Sequence, residues 1–413
     1  MRSVLLIAPD FPPMNRQSSR RAAAMAKYLT AWGWHVTVLT SQPEGYKHPM
    51  SAEEVRGSAG IPESQIIRKF LPDHRLVQKS RLVAKLHGLA DILCLPGSAS
   101  ARWPGQVLPE LNGRKLDPDV IWATAPHWGT FLAASALAKR LGVPWVADHR
   151  DLPDQFFADA GVRRRLAVWR ERAVCRGAAH MTTVSEPMAE MLRQRHTAPV
   201  TVIPNGFDPD ALCETPAAPD RGKFSIVYTG SVWGPRDPAP VSEAVGQLIA
   251  EREVRDDEME VVFYGGSPST PSGVRTGHPR KPPRVVAQAS LSEVLHIQRQ
   301  ATVLLVLGHR GVRGVLTTKL FEYMAAGRPV LSYPKHPECL DKVLEATGIG
   351  VSCDSVEELK AVLRRWYQEW KQTGDIRTSR NLNEIMKYSR KEQAKALAAV
   401  LERVVAEHTG RGA

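Results

Sequence analysis

The run TTKLFEYMAAGRPVLSYP, residues 317–334, constrains this chain more than any other stretch. It reads as a short helix that opens on threonines, carries one lysine and one glutamate, stops at a glycine and passes into a strand. A hydroxyl oxygen at Thr317 or Thr318 can accept a free backbone N–H of the first turn, so either is a candidate cap. Leu320, Phe321, Met324 and Ala325 recur at the spacing of one buried face, and Gly327 offers the left-handed residue that ends a helix. Pro329 then opens Val330–Leu331, an apolar run that suits a buried strand. The first turn of such a helix presents unpaired N–H groups and a partial positive charge, which suits a phosphate. Thr318 and Lys319 stand in that turn, and Glu322 shares the face of Lys319. The lysine can add charge for a phosphate, and the glutamate can accept hydrogen bonds from the two hydroxyls of a ribose. From the spacing alone the commoner reading is a surface ion pair on an ordinary helix, worth only ~0.2–0.5 kcal/mol.

The chain has 413 residues, long enough for two domains each with its own core. Its 43% hydrophobic and 24% charged content is that of an ordinary globular protein. A net charge of +12 favours an anionic partner without choosing among nucleotide sugar, anionic lipid and nucleic acid. No base-reading module accompanies that charge, so nucleic acid is not expected. Cys94, Cys175, Cys213, Cys339 and Cys353 are scattered and never in a CxxC spacing, which points to a reducing, cytoplasmic setting without structural disulfide or zinc. No apolar run approaches the ~18 residues of a spanning helix, and MRSVLLIAPD reads as a buried first strand rather than a leader.

Along the chain, strand and helix patterns alternate. A strand at Val4–Ala8, a loop, a helix over Ser18–Trp32 and a strand at His35–Thr40 form a Rossmann-like opening, with ligands expected at the carboxyl end of the strand. In that loop Asn15, Arg16, Ser18 and Arg20 offer side-chain donors. Strands are expected at Gln65–Phe70, Asp119–Ala123 and Val143–Ala147, and helices at Arg81–Leu95 and Thr130–Leu141. His127 lies in the loop TAPHW, and Asp148, His149, Arg150 and Asp151 follow the strand at Val143–Ala147. Four ionisable residues in a row at a strand's end argue for a cleft, or for an Arg–Asp pair stitching the loop. GVRRRLAVWRERAVCR, residues 161–176, is a basic amphipathic helix of the kind that docks on anionic membranes, or an ordinary solvated face. Pro204–Asp208 and a polar linker mark the domain boundary. The second domain opens on a strand at Phe224–Tyr228 and the loop TGSVWGPRDP. There the backbone of Gly230 and Ser231, with Arg236 behind, can surround a diphosphate. Asp117-Pro118-Asp119 and Asp208-Pro209-Asp210 mimic a metal-binding DxD but read as turn chemistry.

KLFEYMAAGRPVL resembles the donor-binding segment of family 4 retaining glycosyltransferases with the GT-B fold, in which two Rossmann-like domains face each other. IPNGFD at residues 203–208, FPP at 11–13 and the D-x-R-D pattern of Asp148–Asp151 are similar to that family as well. The resemblance implies an α/β fold with domains at 1–205 and 206–385 and a C-terminal crossover segment at 386–413 returning to the first domain. It implies sugar transfer from a nucleoside diphosphate-sugar to a hydroxyl acceptor, a glycan, lipid-linked or small molecule, in the synthesis of cell-surface polysaccharide or glycoconjugate. No cofactor or metal is implied. Glu322 would hold the ribose; Arg236, Lys319 and the amides near Thr318 the diphosphate; His127, Asp148, Arg150 and Asp151 the sugar and acceptor, with Arg20 and Gly230–Ser231 near the substrates. The family often carries a further glutamate eight positions before Glu322, where this chain has Gly314. Two alternatives stay open: a nucleotide-sugar epimerase of the same fold, and a non-catalytic member that binds nucleotide or a partner enzyme.

Overall fold

The computed structural model describes residues 1–42, 60–69, 113–125, 128–152, 161–214, 222–230, 236–265, 281–287, 289–309 and 311–411, with a few single positions between them. The chain divides into two compact units, Met1–Pro204 with Arg390–Ala413, and Asn205–Ser389.

In the first unit the order is β1 (Ser3–Ile7), α1 (Gln17–Ala31), β2 (His35–Ser41), β3 (Ile66–Lys69), β4 (Val120–Ala125), α2 (Trp128–Leu141), β5 (Trp145–His149), α3 (Val162–Cys175), β6 (His180–Thr183), α4 (Glu186–Arg193) and β7 (Val200–Val202). The strands form one sheet in the order β3-β2-β1-β4-β5-β6-β7. Every pairing is parallel, with Leu6 set between Val38 and Trp122. Parallel strands need crossovers that cover both sheet faces, so their central residues are apolar on both sides. Val4, Leu5, Leu6 and Ile7 are accordingly all buried: Val4 and Leu6 pack with α1, Leu5 and Ile7 with α2 and α3.

The second unit repeats the plan. It comprises β8 (Phe224–Thr229), α5 (Ala239–Ala250), β9 (Met259–Tyr264), β10 (Arg284–Val286), α6 (Leu291–Gln300), β11 (Val303–Leu307), α7 (Thr318–Ala326), β12 (Val330–Tyr333), α8 (Leu340–Thr347), β13 (Gly350–Ser352), α9 (Val356–Thr373) and α10 (Leu382–Met386). Its parallel sheet runs β10-β9-β8-β11-β12-β13. Numbered from its own first strand this is 3-2-1-4-5-6, the order shared by the first six strands of the other unit. In such sheets the chain leaves neighbouring strands in opposite directions between the first and fourth, and ligands bind beyond the carboxyl ends there. The two switch points are β1/β4 and β8/β11.

The last helix, α11 (Arg390–Arg411), belongs to the first unit. Ala394, Leu397, Ala398, Leu401 and Val404 recur at helical spacing and enter the same core as Ala22, Ala23, Met25 and Ala26 of α1. The alanines on both helices permit close approach, so the crossover is held by packing.

Most expected elements are present within a residue or two. Ser355 caps α9 by accepting from the Glu358 N–H. Helix α8 was not legible: it starts beyond a proline-rich turn, and Cys339 before it makes no side-chain cap. The expected helix at residues 81–95 lies outside the described residues.

Candidate functional site

The stretch at 317–334 folds as read, with one correction. Helix α7 is buried around nearly its whole circumference, and only Thr318, Lys319 and Glu322 form a partly exposed stripe. Gly327 ends it in the left-handed region, φ 78°. The helix has no side-chain cap: Thr317 occupies the capping position, but its hydroxyl makes no such bond. The amides of its first turn therefore take no threonine oxygen.

The site at the β8/β11 switch point is assembled around Thr229 and Gly230. The Thr229 N–H donates to Tyr323 Oη of α7 at 2.9 Å, and Gln298 Nε2 of α6 donates to Thr229 Oγ1 at 2.9 Å. These bonds fix the end of β8 to both helices. The next residue, Gly230, has φ 122°, which L side chains rarely adopt, and a Cβ there would lie 2.5 Å from Lys319 Cε and 2.7 Å from Nζ. The glycine leaves the space through which the lysine extends. Lys319 Nζ ends 5.4 Å from the centre of the Tyr228 ring, and Arg236 Nη1 donates to the Tyr228 hydroxyl at 3.4 Å. One aromatic ring thus gathers two cations.

Sequence reasoning missed two further basic groups. His309 lies one residue beyond β11, and its backbone N–H donates to His336 Nε2 at 3.0 Å. The imidazole of His336 occupies the place of a side chain at Gly308, where a Cβ would meet it at 2.6 Å. Burial, then the charges of Arg236, His336 and Lys319, lower the His309 pKa to about 4. Burial and Arg236 lower that of Lys319 to about 8 against the pull of Glu322. Two cations held together beside the amino end of a helix are unfavourable on their own and become favourable around an anion. The available signal was a histidine one glycine beyond a fully apolar strand, the position where a parallel sheet presents ligand groups.

Ser231 lies outside the described residues. Gly314 has φ 73°, in the left-handed region that favours glycine.

In the first unit the four ionisable residues 148–151 do not share one cleft. The strand continues through His149, and alternation along it sends neighbours to opposite faces. Asp148 is fully buried; its Oδ2 accepts from Thr124 Oγ1 at 2.7 Å, and its Oδ1 from Thr182 Oγ1 at 2.7 Å and Arg21 Nη2 at 3.3 Å. Arg21 also donates to the carbonyls of Ile203 and Pro204. Asp148 is therefore an internal tie joining β4, β5, β6, α1 and the end of the unit, not a group reaching a substrate. His149, on the other face, packs 4.8 Å from the Phe131 ring with Nε2 3.7 Å from Cys175 Sγ, and burial lowers its pKa to about 4.

Arg150 is half-buried and Asp151 exposed at the carboxyl end of β5. Arg150 lies in the field of Asp151, Asp148, Asp10 and Arg21. Asp10, just past β1, accepts from Arg16 Nη1 at 3.1 Å and Ser18 Oγ at 2.5 Å, and Arg20 donates to Asn15 at 2.7 Å. The donors foreseen in that loop thus hold the loop itself together. His127 lies outside the described residues. Among the described residues no helix is long and apolar enough to cross a membrane.

Residues 18–206 match the model of the glycosyl transferase 4-like domain. Among curated proteins none is similar enough in sequence to count as a relative. Solved structures share the fold over the whole length. The sucrose-phosphate synthase of Thermosynechococcus elongatus is 15% identical, with a TM-score of 0.58 over 99% of this chain and 98% of that one. Anabaena HepE, solved with UDP-glucose, is 12% identical, with a TM-score of 0.57 over 100% and 99%. Arabidopsis thaliana UGT89C1, solved with UDP-L-rhamnose, is 13% identical, with a TM-score of 0.52 over 97% and 98%. Two doubly wound parallel sheets, the returning last helix and the solved structures agree on the GT-B fold, and residues 18–206 carry a glycosyl transferase 4-like domain.

Proposed function

We propose that the chain transfers a sugar from a nucleoside diphosphate-sugar to a hydroxyl acceptor with retention at the anomeric carbon. The observation that carries this reading is Lys319 extended over Gly230 at the amino end of α7, with Arg236 on the same tyrosine and His309 close by. In this reading the diphosphate lies against Lys319, Arg236 and the first-turn amides at Thr318, and Glu322 on the same stripe accepts from the ribose hydroxyls. The nucleotide sugars named for HepE and UGT89C1 are donors of this class.

The bond from the anomeric carbon to the diphosphate oxygen breaks, and the acceptor oxygen bonds to that carbon on the same face. The acceptor proton passes to the departing diphosphate oxygen. The protein's task is then mainly electrostatic, since cations and helix amides already in place stabilise the negative charge growing on the leaving group. Arg150, Asp151 and His127 are assigned to the acceptor side, and Asp148 to positioning through Arg21. The acceptor is a glycan, free or lipid-linked, or a small hydroxyl compound of cell-surface glycoconjugate synthesis.

The test is a panel of nucleoside diphosphate-sugars read first by thermal shift, because binding to the folded state raises stability by mass action. Release of nucleoside diphosphate with added hydroxyl acceptors follows. Transfer, or slow donor hydrolysis, is expected. A donor sugar recovered as its epimer without acceptor would move the chain to the epimerase reading, and no stabilisation by any nucleotide would refute the donor site.

A further inference from the structure

We propose that the outer face of α3 is a docking surface for an anionic lipid bilayer. Ala167, Glu171, Val174 and Cys175 form its buried side. At 3.6 residues per turn the direction opposite them is occupied by Trp169, flanked by Val162, Leu166 and Ala173. Trp169 is 57% exposed and Val162 78%, and these are two of the six large apolar side chains left exposed among the described residues. Arg165, Arg172 and Arg176 are exposed along one side of them, and Arg163 is exposed in the first turn.

The outward charge that the helix itself carries is of one sign. The only acid in residues 161–176 is Glu171, which points into the core and accepts from Arg195 Nη1 at 3.1 Å and His196 Nε2 at 2.9 Å. A tryptophan at the centre of an exposed helix face, with Arg165, Arg172 and Arg176 beside it and no outward carboxylate on the helix itself, matches the boundary of a membrane. There an indole sits at headgroup depth while guanidinium groups reach lipid phosphates. An acidic protein would match the charge but would not call for a free-standing tryptophan and valine on a surface this basic. None of the residues assigned to donor or acceptor belongs to α3.

The test is co-sedimentation of the full chain with vesicles of phosphatidylcholine alone and of phosphatidylcholine mixed with phosphatidylglycerol. Binding to the mixed vesicles only is expected, falling steeply with added salt. Each basic residue near an anionic surface is worth a factor of roughly five, so Arg165→Gln with Arg176→Gln weakens binding about thirtyfold. Trp169→Phe keeps the fold and binding but removes the fraction of fluorescence that brominated acyl chains quench. Trp169→Ala weakens binding roughly tenfold, the scale of losing a large apolar side chain from an interface. All these side chains are outside the core, so unchanged melting temperatures separate lost docking from lost folding. No binding to mixed vesicles, or binding indifferent to these substitutions, overturns the proposal; capture of an acidic protein by this face without vesicle binding overturns it too.

Discussion

Lys319 passes over Gly230 so closely that a single methyl group on the glycine would occupy the path of its side chain, 2.5 Å from Cε. A residue that reads as ordinary loop glycine is thereby the floor of a cation site. The two positions are 89 apart in sequence and are brought together because β8 and α7 flank the switch point of one sheet.

Gly230→Ala should therefore act through the lysine. The substituted residue must hold φ 122°, a strain of about 1–3 kcal/mol, and must displace the Lys319 side chain. Nucleoside diphosphate affinity is expected to fall roughly tenfold, the loss of about one charge-assisted hydrogen bond. Calorimetric titration of Gly230→Ala, Lys319→Met and the double variant checks the coupling. If the glycine works by seating the lysine, the double variant binds no worse than Lys319→Met alone.

Glu322→Gln distinguishes a ribose ligand from surface decoration. Hydrogen bonds to a charged group are worth ~1.5–3 kcal/mol, so a glutamine that retains only part of them should weaken donor binding roughly tenfold to a hundredfold. The melting temperature should hardly move. An exposed ion pair alone would give an effect of ~0–1 kcal/mol on stability and none on affinity. Titration of nucleoside and nucleoside diphosphate in parallel settles which applies.

The pH dependence follows from Lys319. Burial and Arg236 hold its pKa at about 8 in the free protein, and an anion beside it raises that value. A group whose pKa rises on binding contributes fully at pH values below its free pKa and loses that contribution as pH climbs through it toward the bound value. Affinity for nucleoside diphosphate is thus expected to be flat below about 8 and to decline above it. Lys319→Arg keeps its charge throughout this range and should flatten the profile. A decline unchanged in that variant would assign the proton to another group.

The parts legible in the sequence were those governed by short-range pattern. The helix–glycine–strand run at 317–334 declared itself because periodicity, the stop at Gly327 and the apolar strand agree with one another. Periodicity could not show that Gly230 underlies Lys319, or that His336 fills the space beside Gly308, because these contacts join elements distant along the chain. The cluster at 148–151 misled for a related reason. Adjacent charges look like one site in a linear sequence, whereas a strand that continues two residues further sends them to two faces. The buried partners of Asp148, two threonines and Arg21, lie on three other elements.

That internal tie supplies the last prediction. A carboxylate that touched substrate would, when removed, leave a stable and inactive protein. Asp148 instead neutralises Arg21 inside the first unit, where the two side chains are 0% and 6% exposed. Removing one partner of a buried ion pair leaves an uncompensated charge and typically costs 3–5 kcal/mol. Asp148→Ala also strands the hydroxyls of Thr124 and Thr182. Its expected result is a folding stability lower by about 3–5 kcal/mol, read from denaturant unfolding of the first-unit transition. Pairing Asp148→Asn with Arg21→Met removes both charges and should recover part of that loss, because no buried ion is left alone. Nucleotide affinity of the folded fraction should stay unchanged in both variants. A fully stable Asp148→Ala protein that binds donor but fails to transfer would return Asp148 to the catalytic site.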